Sequence, residues 1–145
     1  WQQPIAATLD DGRVLLCGNA NGEITLLWNP ADGRLKIAGP ALTIRQGATA
    51  TKLPNGIVLV TGGNDISGTT LAGTEYFDPE TLTWSTGSSL AAARAAHAAT
   101  LTTAGELVLT GGVTTTGAGN EIIADAEVFV RPTSPPRSIG GRTAP

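Results

Sequence analysis

Sulfur and imidazole chemistry are nearly absent from this sequence: one cysteine, one histidine and no methionine in 145 residues. A single thiol, Cys17, excludes an internal disulfide, and its place within an apolar run marks it as a small packing residue. Cys17 and His97 stand 80 residues apart and offer no ligand cluster of recognisable spacing, so neither metal nor cofactor is expected. Charge is scarce too, at 14 %, with two lysines (Lys36 and Lys52) and a net charge of −3. Without a basic patch to neutralise phosphates, no nucleic-acid partner is expected. No apolar run approaches the roughly 20 residues that span a bilayer, so no membrane insertion is expected. Nor does the chain open on a cationic-then-apolar signal segment.

What is present is glycine, 19 residues of it, with abundant threonine and 41 % hydrophobic residues. That composition favours β structure with many turns. The organising stretch is Ile57-Val-Leu-Val-Thr-Gly-Gly63, with echoes at Val14-Leu-Leu-Cys-Gly-Asn19 and Leu107-Val-Leu-Thr-Gly-Gly112. Each reads as a strand buried on both faces and closed by glycine. The spacing is nearly fixed. Gly18, Gly62 and Gly111 lie 44 and 49 residues apart, Pro30 and Pro79 49, Arg45 and Arg94 49, and Leu42 and Leu90 48. Such periods signal a repeat architecture.

Each unit opens on a strand of small residues: Ile5–Leu9, Ala48–Leu53 or His97–Leu101. A polar turn follows, at Asp10-Asp-Gly12, Pro54-Asn-Gly56 or Thr102-Thr-Ala-Gly105. Asn-Gly and Asp-Gly between apolar runs are strong hairpin signals. After the glycine-terminated strand and a loop come a third strand (Ile24–Trp28, Thr74–Phe77, Ala126–Phe129) and a fourth (Leu35–Ile37, Leu82–Ser85). The turns Asn29-Pro-Ala-Asp-Gly33 and Asp78-Pro-Glu-Thr81 separate them. The alanine-rich stretch Leu90–Leu101 has helical propensity, but its counterpart Leu42–Leu53 has an interior glycine and β-branched residues. A loop followed by a strand is therefore expected in both. The expected domain is residues 1–130, in units of about 4–41, 46–89 and 95–130, the last incomplete, with a Pro/Gly/Ser-rich tail over 131–145.

Four strands per unit, a Gly-Gly after the second, and an aromatic-then-Trp pair in the third and fourth resemble a kelch repeat. The matching residues are Gly62, Gly63, Tyr76, Trp84 and Arg94, then Gly111, Gly112 and Glu127–Phe129. The first unit is degenerate, with Gly18-Asn19, Leu27-Trp28 and Leu35. The resemblance implies an all-β fold of about three kelch-type β-propeller blades, each of four antiparallel strands. Since closed propellers hold about four to eight blades, it implies a partial propeller, completed by further blades or by additional copies of the chain. The opening at Trp1 and the missing last strand favour a piece of a longer propeller.

The Gly-Gly pairs lack the following helix that a phosphate loop needs. Thr61–Asp65 and the unit after it are similar to the propeller of galactose oxidase. That family's copper site needs a Cys–Tyr crosslink, yet Ala95, Ala96 and His97 stand where the Tyr would fall, and Gln46, Gly47 and Ala48 where the Cys would. The acid/base pair of the kelch-type sialic acid epimerases has no placeable counterpart. His97 is expected to make a structural hydrogen bond, Glu75 and Glu127, with Arg94 in the adjoining linker, to form a structural ion pair or a backbone hydrogen bond, and Tyr76, Phe77 and Trp84 to pack between units. No catalytic residue is therefore assigned. The polar loops after the second strands carry the candidate binding residues: Asn64, Asp65, Thr69, Thr70, Thr115, Asn120 and Glu121. Their alternative is a role as solvated connectors. The expected function is a non-catalytic recognition scaffold for a protein or glycan, in a secreted or surface protein of bacterial style. The competing reading is the non-catalytic part of a galactose-oxidase-like or epimerase-like enzyme whose active residues lie outside this chain.

Overall fold

The computed structural model describes residues 4–17, 24–41 and 43–129. Gly18, Asn19 and the 131–145 tail fall outside them. The described residues form no helix, hence none long and apolar enough to cross a membrane. They form thirteen strands. β1 (Ile5–Thr8), β2 (Val14–Cys17), β3 (Ile24–Asn29) and β4 (Arg34–Pro40) make one antiparallel sheet in chain order. β5 (Thr49–Lys52), β6 (Val58–Thr61), β7 (Thr74–Asp78) and β8 (Thr83–Thr86) make a second of the same order. β9 (Ala98–Leu101), β10 (Leu107–Thr110) and β13 (Ala126–Phe129) make a third, with β10 in the middle. β11 (Val113–Thr116) and β12 (Gly119–Ile122) form a separate hairpin between β10 and β13. The expected loop-then-strand reading of Leu90–Leu101 is what forms.

One turn joins the first two strands of each of the three larger sheets. Leu9 N–H donates to Arg13 O and Gly12 N–H to Leu9 O, a pattern repeated at Leu53/Gly56/Ile57 and Thr102/Gly105/Glu106. Gly12, Gly56 and Gly105 all sit at φ of 83–84°, the left-handed residue that closes a three-residue hairpin. At the second turn Asn29 and Asp78 cap the bend: the Asn29 side chain accepts from Ala31 N–H at 3.0 Å, and Asp78 from Glu80 N–H at 2.8 Å.

Cross-strand partners point to the same side of a sheet, so the register assigns each residue a face. In the first sheet Val14, Trp28 and Leu35 share one face, while Leu15 and Leu27 share the other. The equivalent register in the second sheet puts Val58, Phe77 and Trp84 together, with Leu59 and Tyr76 opposite. Leu15 and Leu27 pack with Val58 and Phe77 in one core, against which Trp84 rests. Leu59 packs with Leu107, Leu109 and Phe129 in a second core, against which Tyr76 rests. The sheets therefore stack in chain order, the middle one buried on both faces, and all four residues of β6 are buried. β10 is only partly so, with Thr110 exposed. First strands are neighbours throughout, β1 beside β5 and β5 beside β9. The aromatics do the expected packing, the Phe77 and Trp84 rings lying 5.1 Å apart at 48°.

Candidate functional site

In a chain-order sheet, alternate connections fall at opposite ends. The tight turns at Asp10–Gly12, Pro54–Gly56 and Thr102–Gly105 share one end with the β3–β4 and β7–β8 bends. The opposite end receives the linkers entering β5 and β9 and the loops leaving β6 and β10. All seven candidate binding residues belong to that end.

Glycine pairs let the linkers approach. Gly62 and Gly63 have φ of 62° and 93°, and Gly111 and Gly112 of 65° and 98°. A Cβ on Gly62 would lie 2.2 Å from Arg94 O, and one on Gly112 would lie 2.7 Å from Ala95 O. Gly63 N–H donates to Arg94 O at 2.9 Å, and Ala95 and Val113 exchange two 2.8 Å bonds. These glycines serve chain packing, and the Gly63 N–H is already used.

An arginine reaches back from each linker. Arg45 pairs with Glu75 at 2.7 Å and donates to Gly62 O at 2.9 Å and Gly73 O at 2.8 Å. Arg94 lies 3.5 Å from Glu127 and donates to Gly111 O at 3.1 Å. Arg94 and Glu75 are almost wholly buried. The expected structural pairing of Glu75 and Glu127 with linker arginines is what forms, and the first sheet has Leu26 at this register position.

His97 closes the junction. Its Nε2 lies 3.1 Å from Thr49 Oγ1 and 3.0 Å from Thr61 Oγ1, and the two hydroxyls are 2.7 Å apart. Burial, then the nearby Arg94 charge, push the imidazole down to about 4, so it is neutral at pH 7. A threonine beside a neutral histidine is the start of a nucleophile–base pair, but Thr61 is fully buried and His97 nearly so. Among the described residues His97 Nδ1 has no hydrogen-bond partner. The trio is a structural hydrogen-bond cluster. Burial likewise pushes the Cys17 thiol up to about 11, so it is not a thiolate at neutral pH.

The predicted loop residues come together in part. Asp65 folds its loop by accepting from Ser67 N–H at 2.8 Å, Ser67 Oγ at 2.6 Å and Thr69 N–H at 2.9 Å. Those bonds, the Ser67 hydroxyl first, hold its carboxyl below the usual range. Asn64 bridges Gln46 on one side and Thr70 on the other. Thr70 then joins the neighbouring unit, its Oγ1 accepting from Thr115 N–H at 2.8 Å. Thr115 Oγ1 donates to Asn120 Oδ1 at 3.1 Å, while Glu121 takes Thr116 Oγ1 at 3.1 Å. The expectation of an open polar loop over Val113–Glu121 is corrected here. Val113–Thr116 pairs with Gly119–Ile122 as a hairpin across a Gly117–Ala118 turn, its first strand built wholly of β-branched residues.

Two residues at this end escaped the polar reading: Ile66 and Ile122, 78 % and 85 % exposed. An isoleucine inside an otherwise polar loop was the available signal. Together the end offers hydroxyls, amides, carboxylates and exposed aliphatic tips on a rigid base. Among the described residues no group of three or more His, Cys, Asp or Glu is placed to hold a metal. No protein-family model matches the chain, and no curated protein matches it.

Proposed function

We propose that this chain is a run of kelch-type β-propeller blades acting as a non-catalytic recognition scaffold, with its long-loop end as the binding face for a protein or glycan. Three observations support the blade reading: repeated sheet order with adjacent first strands, one hairpin turn used three times, and an arginine–glutamate tie used twice. Blades of this kind close rings of about four to eight. The binding reading is carried by one observation, the fusion of the Asn64–Thr70 loop to the β11–β12 hairpin through Thr70 and Thr115. It turns two variable segments into one fixed surface that includes Asn120. Loops held on a rigid scaffold are where recognition concentrates. A secreted or surface location fits such a role, which acts on partners outside the cell.

The test is a titration of soluble oligosaccharides and candidate surface proteins into isotope-labelled protein, followed by amide NMR. Shifts are expected at Asn64–Thr70 and Val113–Ile122. Shifts confined to the turns at Asp10–Gly12 and Pro54–Gly56 would place recognition at the other end and overturn the reading.

A further inference from the structure

We propose that Asn55 is a covalent modification site: its side-chain amide is lost to attack by Gly56 only when the β5–β6 turn opens, and the isoaspartate that results bars that turn from closing again.

The reaction needs no partner but water. The Gly56 amide nitrogen gives its proton to solvent and bonds to Asn55 Cγ. The Cγ–NH2 bond then breaks, and the leaving nitrogen takes a proton and departs as ammonia. Water opens the five-membered imide at either carbonyl. Cleavage at Cγ gives aspartate on the ordinary main chain; cleavage at the main-chain carbonyl gives isoaspartate, whose main chain runs through Cβ and Cγ. Glycine in the following position leaves the attacking nitrogen unhindered. Among the three equivalent turns this one alone has the pair. Asp11-Gly12 offers a carboxylate, a poor electrophile at neutral pH, and Ala104-Gly105 offers no side-chain carbonyl. The other Asn-Gly pair, Asn21-Gly22, lies outside the described residues.

The fold decides when the reaction runs. Asn55 is exposed, so water reaches it. Gly56 N–H, however, donates to Leu53 O at 2.9 Å. In the imide, Cγ takes the place in the amide plane that this hydrogen now holds, so the ring cannot close while Leu53 O fills that place. The Asn55 side chain is also engaged elsewhere, its Oδ1 accepting from Ile57 N–H at 3.4 Å. Leu53 N–H ties the turn from the other side, donating to Ile57 O at 2.8 Å. Both ends are anchored, Leu53 in the second core and Val58 in the first. The closed turn is inert, and opening it disturbs strands that belong to both cores.

The two products fit differently. Aspartate has a precedent in the molecule: Asp11 holds the same position in the first turn and accepts from Arg13 N–H at 3.0 Å, as Asn55 accepts from Ile57. Isoaspartate adds one main-chain atom between Leu53 and Ile57. A three-residue turn closed by Gly56 at φ 83° has no room for it. The pairing of Lys52 with Val58, where β5 meets β6, is lost first.

The full chain is incubated at neutral pH, folded in buffer and unfolded in guanidinium, and mapped by mass spectrometry with fragmentation that separates aspartate from isoaspartate. Asn55 is expected to convert at least about tenfold more slowly in the folded chain. Equal rates would overturn the gating by the turn, and an Asn55 that stays intact in guanidinium would overturn the site itself. Brief proteolysis of the aged folded sample is expected to remove isoaspartate molecules and spare aspartate ones; equal survival would refute the claim that isoaspartate keeps the turn open. Asn55→Asp is expected to keep the parent's urea midpoint, and a clear drop would overturn the accommodation of aspartate.

Discussion

At the scale of single residues, the histidine and the arginines carry the polar chemistry of the interior. His97 binds its proton only near pH 4 when folded, against an ordinary 6.5 when unfolded. The unfolded chain therefore takes the proton first, and stability falls as the pH drops through that window, levelling below it. A displacement of this size is worth on the order of 3 kcal/mol. Asp65, held below its ordinary 3.8 by its loop hydrogen bonds, loses its contribution only at lower pH, and comparison with a variant lacking the imidazole isolates the histidine's share. His97→Gln keeps a donor for the threonine hydroxyls and removes the titration. Urea unfolding at pH 6.5, 5 and 4 is expected to show the parent losing about 3 kcal/mol more than the variant; parallel losses would refute it. That His97 is structural was legible in the sequence, from its isolation and its place beside an inner strand. Its partners were not, because Thr49 and Thr61 reach it only through the β5–β6 pairing and the passage of the next linker over Gly62.

At the scale of elements, the strands and turns were the most legible part. Asp-Gly, Asn-Gly and Ala-Gly between apolar runs marked three hairpins, and the structure uses all three glycines at one φ. The β11–β12 hairpin was missed because its strands are rich in threonine, asparagine and glutamate, which mimic loop composition and carry no apolar–polar alternation. The linkers were legible by period, and their arginines show why the period is kept. Arg45 serves three partners, Glu75 and the carbonyls of Gly62 and Gly73. Arg45→Met would leave a buried carboxylate unpaired, strip the Gly62 carbonyl of its donor and leave the Gly73 carbonyl only the long bond from Gly62 N–H, whereas Glu75→Leu leaves Arg45 two of its partners. Breaking a buried pair costs about 3–5 kcal/mol. Arg45→Met is expected at or beyond the upper end and Glu75→Leu at the lower, measured by chemical denaturation. Equal costs would mean that the carbonyl bonds contribute nothing.

At the scale of the whole molecule, two separate cores share the middle sheet. One joins Leu15 and Leu27 to Val58 and Phe77; the other joins Leu59 and Leu90 to Leu107 and Leu109. No single core runs through the stack, so stability should approximate a sum over neighbouring junctions, as in other repeat arrays. The consequence is local. Phe77→Ala removes the ring that fills the first junction, at a cost of about 3–5 kcal/mol, and Leu109→Ala opens the second at about 2–5 kcal/mol. Native-state hydrogen exchange separates the two. Phe77→Ala is expected to speed exchange across β1–β4 while β9 and β10 keep their protection, and Leu109→Ala is expected to do the reverse. Both substitutions should loosen β5–β8, which belongs to each junction. If either one accelerates every strand equally, the molecule unfolds as one unit and the nearest-neighbour picture fails.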